Sequence, residues 1–545
     1  MSTVQEQSQE LAKRIWAICN ALRGSVDAND FKDYILGVIF YRYLSERTER
    51  YVNELLENEP TPVTYEAALD GRAGKEIRDA VLDMCYSHLG YVIETKYLWR
   101  SLIAKIKHLP PYTEADKFSI EDFEKATSKL VESTVGRDSE FAFHGLFDGM
   151  NLRSEKLGRD VASRTDLVRK ALLGIDNISF GFDEASMDVL GTAYMILIGL
   201  FQDSAGKKGG EFFTPTCVSV LLARLATLGM KEVRNVSDLC AGSGSLLLEV
   251  QKHLPAAVDC YWAQESNPVT YNLLRMNLII HDVPYAQFRV FNDDSIVSDN
   301  FYSKGSPVLV DVAVSNPPYS AKYTPTESLS HDPRYSSAGA MAPKARADLA
   351  FVESMAYHMS ENGRVAVLLP SGALCREGTE QTIRRYLVSS LNCVDAVIGL
   401  PSKMFHGTDI AVCILFLKRN RNGDSRNIFF IDGSKFFVAK RKKNEMSEDD
   451  IQKILDRYSA RKSVEGMSAV VSVSEVVDKS YDINFSTYIK VKNNTSSNGD
   501  DVETIEEILK DIDQIENDRK KERDNLMELI KNLETHVNDE IRSVH

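Results

Sequence analysis

A chain of 545 residues, at about 150 residues per domain, has room for roughly three or four domains and a large buried core. Hydrophobic residues make up 43% and charged residues 26%, an ordinary globular balance that excludes wholesale disorder. The formal net charge of −14 argues against gripping nucleic acid by bulk electrostatics, because phosphate binding calls for Lys and Arg. The eight cysteines are scattered without a C-x-x-C pair, mostly in apolar surroundings. That pattern points to reduced core thiols and no metal site. The start, MSTVQEQSQE, lacks the basic and apolar run of a signal peptide, and the longest apolar stretch, 190–201, is too short to span a bilayer. The expected setting is cytosolic, with no membrane partner.

Residues 1–170 read as a helical domain. Leu11, Ile15, Ile18 and Leu22 recur at helix spacing, and Phe31, Tyr34, Ile35, Val38 and Ile39 do so after an expected cap at Asp30. From about 171 to 490, short β-rich runs alternate with amphipathic helices, the pattern of βαβ units and a mostly parallel sheet. The predicted strands are 234–240, 258–264, 288–291, 308–315, 363–369, 394–400 and 410–418, with helices at 216–228, 268–281, 347–360 and 378–390. In open sheets of this class, ligands collect beyond the carboxyl ends of the strands. A polar break, NNTSSNGD, opens residues 491–545, where Ile505, Ile508, Ile512 and Ile515 and then Leu526, Leu529 and Leu533 keep one helical phase. Arg519 and Glu522 interrupt that seam, which favours a short, partner-specific coiled-coil arm over a long stable coil. Residues 501–545 carry 14 acidic and 7 basic side chains, so half of the net charge lies in the arm.

Three motifs carry chemistry. Asp238-Leu-Cys-Ala-Gly242-Ser243-Gly244 follows a strand and precedes a helix, so its glycines allow a tight turn and a close backbone approach to a ligand. Glu265 closes the next strand, where a carboxylate can accept both ribose hydroxyls of a nucleoside. The third glycine of the dinucleotide fingerprint is missing, which favours a compact adenosyl ligand over NAD or FAD. Asn316-Pro317-Pro318-Tyr319 ends the strand VLVDVAVS. The Asn316 side-chain oxygen and the Pro317 carbonyl can each accept one hydrogen of an exocyclic amine, freeing its lone pair, and Tyr319 offers a face for an extruded base. The third motif, Gly210-Glu211-Phe212-Phe213-Thr214-Pro215, precedes the helix 216–228, with Thr214 as its expected cap. Asp294, in NDDSI after the third strand, is placed to meet a ligand's adenine amino group.

In this order, GEFFTP, DLCAGSGSLL, AQESN and SNPPY resemble the γ-class adenine-N6 DNA methyltransferases. The stretches RGSVDANDFKDYILGVIFYRYLSE, DPRYSSAGAMAPKARADLAF and LPSGALCREGTEQTIRRYLV look like the modification subunit of type I restriction systems, closest to its IC branch. The resemblance spans residue 10 to about 490. It implies a class I S-adenosylmethionine-dependent methyltransferase fold, with a mostly parallel seven-stranded sheet behind a helical N-terminal domain. It also implies S-adenosylmethionine as cofactor. Glu211, Phe212, Phe213, Thr214, Asp238, Gly242, Ser243, Gly244, Glu265 and Asp294 match the family's cofactor motifs, and Asn316, Pro317, Pro318 and Tyr319 its catalytic loop. Leu239, Cys240 and Asp293 depart from the usual residues in ways that change loop shape rather than chemistry. The implied partners are double-stranded DNA, a specificity subunit, a second copy of this chain and a restriction subunit, in a bacterial or archaeal cytoplasm. Three rivals stay open. A glutamine-N5 methyltransferase fits the same NPPY logic, though that family is shorter and lacks GEFFTP. A catalytically idle scaffold is the second, and a modification subunit of another phage-defence system is the third.

Overall fold

The computed structural model describes residues 4–22, 28–57, 63–178, 180, 184–204, 214–405, 410–421, 423–440 and 443–489. The acidic arm and Glu211, Phe212 and Phe213 lie outside the described residues.

The described residues up to Asp176 form helices joined by loops, from Val4–Leu22 to Val161–Asp176. The helix Ala28–Leu56 is the spine. Residues Tyr34 to Ser45 are buried without a break, so this helix is enclosed by its neighbours rather than amphipathic. Asp30, expected as its cap, falls inside the first turn, because the helix starts at Ala28.

The part of the chain from Asn235 onward is built on a nine-stranded sheet. Its strands are β1 (Asn235–Asp238), β2 (Cys260–Gln264), β3 (Phe288–Phe291), β6 (Val310–Ser315), β7 (Met359–Pro370), β8 (Val394–Gly399), β9 (Val412–Lys418), β10 (Asn427–Asp432) and β11 (Ser468–Ser472). A small hairpin, β4 (Tyr302–Ser303) and β5 (Ser306–Pro307), leads into β6. The spatial order is β11-β10-β8-β9-β7-β6-β1-β2-β3. β9 runs antiparallel between β7 and β8, and β11 is an antiparallel edge; the other pairings are parallel. The seven predicted strands are all present, and β10 and β11 extend the sheet beyond them.

The period-two alternation of the strands sorts side chains into two cores. In β7, Ala366 and Leu368 face one core while Val365, Val367 and Leu369 face the other. The first core is continuous with the N-terminal helices. Helix Pro268–Ile280 is the joint between them: Arg275, 1% exposed, donates to the carbonyls of Phe141 (3.0 Å) and His144 (2.8 Å). Asn272 Nδ2 donates to Gly145 O at 2.9 Å, and the Tyr43 hydroxyl donates to Ile279 O at 3.1 Å. No helix among the described residues is long and apolar enough to cross a membrane.

Candidate active site

β1, β2, β3 and β6 run parallel, so their carboxyl ends share one edge of the sheet. Asp238 ends β1 and is almost fully buried. Its Oδ1 accepts the Cys240 N–H at 2.9 Å and the hydroxyl of Ser315, the last residue of β6, at 2.6 Å. Burial pushes this carboxyl up to about 7, against the opposing effect of both hydrogen bonds.

Past Asp238 the chain turns through Gly242 and Gly244, both at positive φ (54° and 78°). A Cβ on Gly244 would stand 2.4 Å from Leu274 Cδ1, so this turn tolerates only glycine. The Gly242 N–H donates to Glu265 Oε2 at 3.0 Å, and the Asn267 N–H donates to Oε1 at 2.8 Å. These bonds orient the Glu265 carboxylate and leave each oxygen a lone pair for a ligand hydroxyl. Burial raises this carboxyl too. Ser243 turns away from the ligand side, and its carbonyl accepts from Asn277 Nδ2 at 2.7 Å, which ties the glycine turn to the helix Pro268–Ile280.

Asn316 follows β6. Its Nδ2 donates to the buried Thr214 hydroxyl at 3.0 Å. Thr214 is therefore not the helix cap: Pro215 takes that position ahead of Thr216–Thr227, and Thr214, one residue too early, leaves its hydroxyl to Asn316. The bond fixes the amide, and Asn316 Oδ1 is buried with no hydrogen-bond partner among the described residues. The Tyr319 hydroxyl is also buried without a partner among them, its phenol pushed up by burial. The Tyr319 ring meets Phe405 edge-on, centroids 5.9 Å apart. Ser320, at φ 52°, donates its N–H to Asp348 Oδ1 at 2.8 Å, which pins the sharp exit from the NPPY loop to the start of the helix Asp348–Tyr357.

These groups border one open cleft of about 850 Å³, counting the space at its mouth. Thr214, Asp238, Gly242, Glu265, Asp294 and Asn316 line it together. From the NPPY loop Pro318 lines it as well, whereas Pro317, Tyr319, Ser243 and Gly244 do not. Asp294 Oδ1 accepts the Ile296 N–H at 3.0 Å, which shapes the loop after β3. Sequence reasoning overlooked three contributors. Phe405 sits just past the carboxyl end of β8, and an aromatic in that position is a readable signal. Arg334 and Tyr335 act through long-range contacts that no local pattern shows: Arg334 Nη1 donates to Ser295 O (2.7 Å), and Arg334 Nη2 and the Tyr335 hydroxyl both donate to Ile296 O (3.1 and 2.9 Å).

Residues 185–497 match the N-6 DNA methylase family, and residues 11–173 match the HsdM N-terminal domain. The chain is 36% identical over 539 residues, 97% of each chain, to the type I restriction enzyme MpnII methylase subunit of Mycoplasma pneumoniae. This protein belongs to the type I restriction methylase subunits. It is also 32% identical over 320 residues to the MjaVIII methylase subunit of Methanocaldococcus jannaschii, covering 56% of this chain and 54% of that one. Among solved structures, the type I methyltransferase subunit from Streptococcus thermophilus superposes with a TM-score of 0.79 at 34% identity, covering 89% of this chain and all of that one. The methylase subunit is thus an adenine-specific DNA methyltransferase of the class I fold, with the glutamine-N5 alternative set aside.

Proposed function

We propose that this methylase subunit transfers a methyl group from S-adenosylmethionine to N6 of an adenine extruded from duplex DNA. When bound, the cofactor supplies an electrophilic methyl group on a sulfonium. Glu265 would accept the two ribose hydroxyls, Asp294 the adenine amino group, and Asp238, Gly242 and Thr214 would wall the amino-acid end. The cleft suits such a cationic, hydroxyl-bearing ligand: it presents two buried carboxyl groups and the bare backbone of Gly242 at positive φ.

The observation that carries the reading is Asn316 Oδ1. A buried amide oxygen without a partner costs about 1–3 kcal/mol, a cost that a bound amine removes. Asn316 Oδ1 and the Pro317 carbonyl would accept the two N6 hydrogens, and Tyr319 would stack on the base. The lone pair so released would take the methyl group as the sulfonium becomes a thioether, and an N6 proton would then pass to solvent, so no strong base is required. Fixed positioning of the two partners contributes most, up to about 7–11 kcal/mol in favourable cases.

The target sequence would be read by a specificity subunit, with two methylase subunits per complex and ATP-driven translocation left to a restriction subunit. The net charge of −14 supports this division, since a chain so acidic needs a partner to hold DNA. The cytoplasm of a bacterium or archaeon is the matching setting. Asn316→Ala should reduce transfer of tritiated methyl to unmethylated DNA by about 10²–10³-fold or more, as loss of a preorganised active-site contact does, with cofactor affinity retained. Wild-type transfer by Asn316→Ala would overturn the assignment, and no transfer by the wild-type complex would leave the idle scaffold standing.

A further inference from the structure

The chain is acidic overall, yet residues 433–444 contain five basic and no acidic side chains. The stretch begins where β10 ends. The Gly433 N–H donates to Gly399 O at 3.0 Å, which joins the carboxyl ends of β10 and β8. Val438 and Glu445, on either side of the stretch's most basic part, exchange backbone hydrogen bonds (2.7 and 3.1 Å). Asn444 then docks on the loop after β8: its N–H donates to Lys403 O at 2.9 Å and its Nδ2 to Ser402 O at 2.8 Å. Phe405, two residues beyond Lys403, is the ring that meets Tyr319. The basic stretch is therefore braced on the loop that touches the catalytic motif.

Lys403, Lys435 and Lys440 are exposed, and so are Phe437 and Val438 between them. Lys440 pairs with Glu445, whereas Lys403 and Lys435 have no ion-pair partner among the described residues. β8 and β10 run parallel to β6, so these lysines stand on the same edge of the sheet as Asn316. They stand on the side away from β1, β2 and β3, where the cofactor motifs lie. At about 4.8 Å per strand, β8 and β10 are roughly 14 and 19 Å from β6. That is about four to six nucleotide steps along a DNA strand.

We propose that Lys403, Lys435 and Lys440 form a ridge that contacts the phosphate backbone of duplex DNA a few nucleotides from the extruded base. This rests on the methyltransferase reading of the cleft and adds the surface that presents DNA to it. Charge selects the partner, since exposed ammonium groups meet phosphate oxygens and position a duplex without reading its bases. The exposed apolar pair between the lysines packs against the sugar edge of the strand.

The test uses the full-length chain, free and assembled with its specificity subunit, on mixed-sequence duplex DNA at several salt concentrations. The triple variant Lys403→Ala, Lys435→Ala, Lys440→Ala should make the slope of log K against log salt shallower by about 2–3. KM for DNA should rise roughly tenfold at about 0.15 M salt, while cofactor affinity and kcat at saturating DNA stay at wild-type values. Lys231→Ala with Lys252→Ala, near the opposite, amino-terminal edge of the sheet, should leave the slope unchanged. A wild-type slope and KM in the triple variant would overturn the proposal. So would loss of assembly with the specificity subunit while the free chain keeps its slope, because the ridge would then be a protein-docking surface. The slope is read without methyl transfer, so failure of the wild type to methylate would count against the function and not against the ridge.

Discussion

Asp238 is a carboxyl group held out of water at the point where two strands end, and its protonation couples the cleft to pH. In the folded, ligand-free chain it titrates near 7, against an ordinary value of 3.8. A raised folded value means that the native state binds the proton more tightly. Its contribution to stability is complete below about pH 4 and is lost as pH rises through 7. A cationic ligand at the end of β1 favours the ionised form. Binding of S-adenosylmethionine therefore releases a proton below pH 7, and affinity should rise with pH by up to about tenfold per unit before levelling off near 7. Calorimetry in buffers of different ionisation enthalpy would detect that proton. In Asp238→Asn the pH dependence should vanish, and a slope that survived would assign it to another group. Gly244→Ala tests the turn beside it. The added Cβ meets Leu274 and a left-handed backbone, so it should lower the melting temperature, by at least about 1–2 kcal/mol of stability, together with cofactor binding.

The loop after β3 is held by an element that lies far away in sequence. Arg334 is 3% exposed, and besides its bonds to the Ser295 and Ile296 carbonyls it pairs with Asp332 at 2.7 Å. That short segment clamps the backbone beside Asp294 without touching the ligand itself. Arg334→Met should raise KM and Kd for the cofactor roughly tenfold or more, because two buried carbonyls lose a charged donor worth about 1–3 kcal/mol each. Turnover at saturating cofactor should stay near wild type, and Arg334→Lys should recover part of the affinity; a fall in kcat alone would place Arg334 in the chemistry instead. The same contrast separates what sequence reading reached from what it missed. β6 and β9 are largely buried on both faces, so VLVDVAVS, broken only by Asp311 before its final Ser315, and VCILFLK stand out as apolar runs. β10 is as buried, but it follows a charged stretch, and β11 is a half-exposed edge, so neither announced itself. Asp238 was legible because it ends a strand, and Glu265 and Asn316 because each directly follows one. Arg334 was not, because its partners lie 38 and 39 residues away.

At the scale of the whole molecule, the helical N-terminal part and one face of the sheet share a single core, with no boundary of water between them. Arg275 caps two N-terminal carbonyls from a helix that also carries Asn277, the residue that holds the glycine turn through Ser243. Two consequences follow. The helices and the sheet should unfold together in one calorimetric transition. If cofactor binds the folded glycine turn as proposed, it should raise the whole of that transition by about 2.7 kcal/mol at a hundredfold excess over Kd. Hydrogen exchange at residues 141–145, on the far side of the joint, should slow on cofactor addition, because opening there requires breaking the Arg275 bonds. In Arg275→Met, with two buried carbonyls left bare at about 1–3 kcal/mol each, the transition should fall in temperature and begin to split. A wild-type profile with two separate transitions, only one of them moved by cofactor, would mean that the shared core does not act as one cooperative unit.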